Sequence, residues 1–144
     1  IGDERNRLPN LPDHIFAADY APYQSLLPHA SVVVHSGGAG TTSQALLAGV
    51  PTLIVPFAFD QFDNAAHARR MGTSRTVYRD DYRAPRVARE LDRLLKDKTY
   101  SEIASQVRSK LKQENGPKTA VELIEQQLLK AAHDAEEFAY ASGN

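Results

Sequence analysis

Three clusters in this chain have residue types and spacing suited to holding an anionic ligand rich in hydroxyl groups. In the first, Val32-Val33-Val34-His35-Ser36 runs into Gly37-Gly38-Ala39-Gly40 and then Thr41-Thr42. Glycines let the backbone come close to a bulky oxyanion. Unpaired N–H groups at a helix start, with the positive end of the helix dipole, favour negative charge there by about 0.3–1 kcal/mol at exposed sites. The hydroxyls of Thr41 and Thr42 add hydrogen-bonding groups. In the second cluster, Asp60-Gln61 sets a carboxylate beside an amide, with Asn64 close behind. Hydroxyl groups need both acceptors and donors, and that pair supplies both. The third, Tyr20-Ala21-Pro22-Tyr23, offers aromatic faces in a proline turn, and stacking of a nucleobase on such a face is worth about 1–3 kcal/mol.

Each cluster also has a plainer reading. The glycine run suits a tight strand-to-helix turn in which glycine serves backbone shape alone, Asp60 suits a helix N-cap, and Tyr20 suits a half-buried turn residue. Two better-known phosphate loops do not fit: there is no Gly-Lys-Ser/Thr, and Gly38-Ala39-Gly40 lacks the third glycine of the dinucleotide fingerprint. His35-Ser36-Gly37-Gly38 has the look of a hydrolase oxyanion loop, but no Gly-x-Ser-x-Gly elbow occurs.

The elements that must position these clusters follow from hydrophobic pattern and punctuation. His14–Ala18 is a strand candidate closed by the turn at Asp19-Tyr20-Ala21-Pro22, and a brief helix through Leu26 and Leu27 ends near Pro28. Ser31–His35 is the second strand. A helix from about Thr42 to Ala48 stops at Gly49, with Pro51 beyond. Thr52–Val55 is apolar on both faces, as a parallel strand covered on each side requires. The Asp60 cluster opens a helix running to Met71 and stopped by Gly72, and a fourth strand spans about Ser74–Tyr78. This alternation predicts a parallel sheet with right-handed crossovers, whose carboxyl edge is where ligands of open α/β sheets bind. Beyond it the pattern is helical. Val87, Leu91, Leu94 and Leu95 make one stripe; Thr99-Tyr100-Ser101-Glu102 has the form of a capping box ahead of Ile103, Val107 and Leu111; Val121, Ile124 and Leu128 follow the break at Gly116-Pro117. All three stripes are expected to pack into the core, and the tail from Glu137 is expected to fray.

Composition narrows the ligand class. At 144 residues and 42% hydrophobic content, one core is expected. Seventeen basic residues against eighteen acidic leave a formal charge of −1, so composition gives no support for nucleic acid or a membrane surface, and any anion must be held locally. The absence of cysteine excludes disulfides, thiolate nucleophiles and Cys-ligated zinc. No apolar run approaches the ~18 residues of a membrane span, so a soluble, cytoplasmic protein is expected. Ile1 stands in a polar segment that resembles neither a start nor a cap, and the chain is read as the later part of a longer protein.

Taken in order, His-x-Gly-Gly-x-Gly-Thr-Thr, Ala-Gly-Val-Pro and Pro-x-x-x-Asp-Gln-x-x-Asn-Ala, within His29–Asn64, resemble the donor-binding signature of GT1-type, GT-B-fold glycosyltransferases. The likeness is greatest to bacterial enzymes that glycosylate small lipophilic acceptors and to their sterol and macrolide relatives. It implies a Rossmann-like α/β fold: the C-terminal half of a GT-B enzyme, N-terminally truncated, with residues 1–130 a partial donor-binding domain lacking its first strands and 131–144 a helix end and frayed tail. By this resemblance Tyr20 stacks on the base, the Ala21 backbone reads its edge, and Tyr23 and Gln44 lie near base and ribose. Gly38, Gly40, Thr41 and Thr42 surround the diphosphate, and Asp60 and Gln61 take the sugar. Ser36 aligns with the phosphate-contacting histidine of single-histidine relatives, while His35 matches the first histidine of the His-His-Gly-Gly form. The sequence departs from the common pattern there, leaving the phosphate contact open between His35 and Ser36. Asn64 is expected to support the loop.

The resemblance further implies an inverting, metal-independent transfer of a hexose from a UDP- or TDP-sugar, with no cofactor. The general base and the acceptor pocket would lie in an N-terminal half or a partner chain, so no catalytic residue is assigned and these 144 residues alone are expected to be inactive. A non-catalytic subunit of a split glycosyltransferase and a sugar-nucleotide epimerase are the alternatives. Missing upstream strands would leave sheet surface uncovered and open to self-association.

Overall fold

The computed structural model describes residues 10–142. Its chain divides into two compact units, Ile1–Ser109 and Lys110–Asn144. The first is built on three short parallel strands in the order β1-β2-β3: β1 (Val33–His35), β2 (Thr52–Ile54) and β3 (Ser74–Thr76). Val33 aligns with Thr52 and Thr52 with Ser74, so the strand ends lie level and the loops that follow them emerge at one edge. Each strand is shorter than its apolar run.

Helix α1 (Tyr23–Leu26) precedes the sheet; α2 (Ala39–Ala48) crosses from β1 to β2, and α3 (Gln61–Arg70) from β2 to β3. Both crossovers end as the punctuation predicts, with Gly49 (φ 72°) and Gly72 (φ 80°) in the left-handed region that an L side chain resists. Strand β2 is buried on both faces. Leu53 packs with Val77 and Leu94, while Ile54 packs with Ala65 and Ala68 of α3. Ala45, Ala48, Val50 and Leu27 form a separate cluster under α2.

Several expectations need correction. His14–Ala18 forms no strand. Ile15 N–H donates to the Pro12 carbonyl at 2.8 Å in a turn, and Phe16 is 91% exposed. The three described strands pair only with one another, and a strand persists only in such a ladder. The Tyr20 turn is therefore reached from irregular chain, so only two of the three clusters follow strands.

Helix α2 begins at Ala39 rather than Thr42, because Gly38 (φ −60°, ψ 142°) takes the extended geometry of an N-cap. The threonines consequently lie inside its first turn.

Helix α4 (Ala84–Lys96) places Val87, Leu91 and Leu94 against the sheet. Leu95 is turned away and exposed, since four consecutive stripe positions exceed the arc one helix face buries. Glu90, also on α4, is fully buried and held by Arg75 of β3, whose guanidinium donates to it and, at 2.8 Å, to the Tyr100 hydroxyl. Burial alone would push the Glu90 carboxyl up; the Arg75 hydrogen bond and the charges of Arg75, Arg86 and Arg93 outweigh it and hold the group below the usual carboxylate range.

Helix α5 (Lys98–Leu111) is not started by the Thr99 capping box. Asp97 Oδ1 accepts the Thr99 N–H at 3.0 Å instead, which sets the helix start two residues earlier and makes Thr99 an interior residue of the first turn.

Helix α6 (Gly116–Ser142) starts where Asn115 Oδ1 accepts the Lys118 N–H at 3.2 Å. Its stripe of Val121, Ile124 and Leu128 is exposed, not core. The helix runs past Glu137 through alanine- and glutamate-rich sequence, whose high helix propensity continues it.

Candidate functional site

The turn after β1 is built around Gly37. Its φ of 90° is left-handed, and a Cβ placed there would lie 2.8 Å from Ile54 Cγ2 and 3.1 Å from the Gln61 carbonyl oxygen. Glycine is required by both conformation and space. The Gly37 N–H donates to His35 Nδ1 at 3.0 Å. That contact makes Nδ1 the acceptor, so the imidazole carries its hydrogen on Nε2, an atom buried without a partner among the described residues. Burial pushes the His35 pKa below its ordinary value, which keeps the ring neutral.

Gly38 and Gly40 are a different case. A Cβ at either would meet nothing within 4 Å. The chain itself does not demand glycine there, and the space above the turn is open. Gly38 has no side chain to cap α2, so the first N–H groups of that helix have no intrahelical acceptor and point toward that space. Thr42 Oγ1 donates to the Gly38 carbonyl at 2.9 Å, so its hydrogen is engaged within the helix. Thr41 makes no such bond among the described residues, and Ser36 is exposed.

Asp60 holds the N-cap position of α3 without capping it through its side chain. Its backbone is already helical (φ −66°, ψ −10°) and its side chain caps nothing. Its Oδ2 accepts instead from Asn64 Nδ2 at 2.9 Å. Gln61 Oε1 accepts the N–H groups of Phe57 (2.8 Å) and Ala58 (3.2 Å), folding the loop back on itself. The turn closes through Phe59, left-handed at φ 56° and 92% exposed. What remains for a ligand is Asp60 Oδ1 as acceptor and Gln61 Nε2 as donor.

The two loops meet. Asn64 Nδ2, besides holding Asp60, donates to the Gly37 carbonyl at 2.9 Å. One hydrogen-bonded path thus runs from His35 through Gly37 and Asn64 to Asp60. The i, i+4 spacing of Asp60 and Asn64 is a signal the sequence carries; the Gly37 contact has none.

Tyr20, Ala21, Tyr23 and Gln44 line one cavity of about 610 Å³. Tyr20 is 83% exposed rather than half-buried, which leaves its ring face available. Gln44 stands four residues after Gly40 on α2, on the same helix face, and so joins this cavity to the glycine turn. All the residues expected at base and ribose are therefore together, and those expected at diphosphate and sugar are linked through Asn64. Among the described residues no group of three His, Asp or Glu side chains converges as a metal site, and no helix is long and apolar enough to cross a membrane.

Comparison with known proteins gives a family and a fold. The family described as erythromycin biosynthesis protein CIII-like, C-terminal domain, matches residues 2–127. Aklavinone 7-beta-L-rhodosaminyltransferase of Streptomyces galilaeus is 31% identical over 135 residues, covering 94% of this chain and 30% of that protein. Sterol 3-beta-glucosyltransferase of Saccharomyces cerevisiae is 33% identical over 119 residues, 83% of this chain and 10% of that one. Among solved structures, the glycosyltransferase VinC in complex with DTDP superposes with a TM-score of 0.66 at 33% identity, over 69% of this chain and 25% of VinC. The chain thus spans less than a third of the length of each of these proteins.

Proposed function

We propose, for a chain that belongs to the family of erythromycin biosynthesis protein CIII-like C-terminal domains, in glycosyltransferases of GT-B fold, that the edge carrying its two loops binds a nucleoside diphosphate sugar. The observation that carries this reading is the Asn64 bridge, which holds an anion-seeking helix start and a carboxylate–amide pair as one surface. The base lies on Tyr20 with Ala21 at its edge, and Tyr23 and Gln44 serve the base and ribose. The diphosphate lies over Gly38 and Gly40, against the N–H groups opening α2, with the Thr41 and Ser36 hydroxyls as donors. Thr42 and His35 act from beneath: one tightens the helix start, the other shapes the turn. Asp60 and Gln61 hold the sugar. VinC, solved with DTDP, supports thymidine diphosphate as the nucleotide part, with uridine diphosphate the alternative.

In the whole protein the reaction is an inverting transfer of a hexose to a lipophilic acceptor, the sterol named for one relative being of that class. Negative charge grows on the leaving diphosphate as the glycosidic bond breaks. Backbone N–H groups already aimed at it stabilise that charge without reorganising, a contribution that often dominates catalysis. Neutralisation by amides rather than a cation makes the transfer metal-independent. The general base and acceptor pocket belong to another part of the protein or to a partner chain, and the reaction is cytoplasmic.

Titration calorimetry with UDP, TDP and their glucose conjugates tests this. Binding is expected in EDTA. Thr41→Val is expected to weaken both kinds of ligand, and Asp60→Ala the sugar conjugates alone, by about ten-fold for the loss of a bond to a charged group. Absence of binding, or indifference to both substitutions, contradicts the assignment.

A further inference from the structure

We propose that Asn64 is a positioning residue: it sets the Asp60 carboxylate for the sugar and ties that setting to the turn that receives the diphosphate. The inference rests on the reading of the site given above. Asn64 uses Nδ2 for both bonds, each 2.9 Å, to Gly37 O and to Asp60 Oδ2. Its backbone is fixed as well, by an N–H bond to the Asp60 carbonyl at 2.9 Å. An exposed aspartate carboxylate ordinarily turns freely about its side-chain bonds. Here one oxygen is pinned, so Oδ1 is presented in a set direction, and less entropy of ordering is lost when a hydroxyl arrives.

The second bond gives the arrangement its reach. Gly37 sits against the Gln61 backbone so closely that a methyl group there would lie 3.1 Å from the Gln61 carbonyl oxygen. A change in the glycine turn therefore passes to the Asp60 loop through both the Asn64 bridge and direct packing. An amide with two hydrogens serves two acceptors at once; a carboxylate at position 64 would oppose both. Asn64 needs no contact with the ligand to act in this way. Its effect falls on how well the site tells a nucleotide sugar from the bare nucleoside diphosphate.

The test is a double-substitution cycle on this chain, with dissociation constants measured for UDP and for UDP-glucose. The readout is the ratio of the two constants, which a general loss of stability does not move. Asn64→Ala is expected to shift that ratio about ten-fold against UDP-glucose, as Asp60→Ala does. Asn64→Ser, with one donor where asparagine has two, is expected to fall between. In an Asp60→Ala background the Asn64→Ala change is expected to add nothing to the ratio, because its effect runs through Asp60. Equal weakening of both ligands by Asn64→Ala, or full additivity with Asp60→Ala, would overturn the positioning role while leaving the donor site standing. Failure of the unsubstituted chain to bind either ligand would overturn both.

Discussion

The His35 imidazole accepts the Gly37 N–H at 3.0 Å on Nδ1 while its buried Nε2 has no partner among the described residues, so a second proton would land where the Gly37 hydrogen already points. Burial lowers its pKa from the ordinary 6.5. The unfolded chain then takes the proton more readily than the folded one. The contribution of His35 to stability is full above pH ~6.5 and is lost as pH falls below it toward the folded-state value. Glu90 acts in the same direction in a separate window below its ordinary 4.5, because Arg75 holds its carboxylate ionised. Urea unfolding at about pH 7.5 and 5.5 separates the two residues. The midpoint is expected to fall across that interval, and His35→Asn, whose side-chain oxygen can take the Gly37 N–H, to flatten the fall; an unchanged slope would contradict the role of His35. At this scale the sequence was legible wherever one residue type serves one local need: Gly37, Gly49 and Gly72 all occupy left-handed positions. It was silent on His35 against Ser36, because burial and the direction of a ring are set by neighbours distant in the chain.

At the scale of elements, Asp97 and Thr99 compete for the start of α5. Thr99 heads a pattern that satisfies the capping-box rule, yet Asp97 accepts the Thr99 N–H and begins the helix. Asp97→Ala is expected to cost about 1 kcal/mol of stability and Thr99→Ala much less; thermal unfolding of the two variants decides it, and the reverse order would contradict the assignment. Periodicity located β1, β2, β3 and the helices between them, because burial on one or both faces leaves its mark on nearby residues. It failed at His14–Ala18, where five residues of strand-like composition form turn and irregular chain, and at Leu95, where an apolar residue lies outside the buried arc. The Asp60 loop shows a subtler limit. Gln61 carries its sequence signal as a ligand group, but Oε1 shapes the loop, and left-handed Phe59 is a residue no turn rule would choose.

For the whole molecule, two of the three clusters come to one edge of a three-stranded sheet and the third shares a cavity with Gln44 of α2, and the bond that unites the first two, Asn64 to Gly37, joins residues 27 apart. The sequence displayed the clusters and, through a family resemblance, their order; the bridge exists only in the folded chain. The account stands on the claim that the amides opening α2 hold a diphosphate without help from a metal ion. Backbone amide spectra of the isotope-labelled chain, recorded while UDP is added in EDTA, test it most directly. The account predicts that the amides of Gly38, Ala39, Gly40 and Thr41 shift together, along with those of Ala21 and Gln44, at one common affinity. Shifts confined to other surfaces, or appearing at this turn only when a divalent cation is supplied, would contradict it.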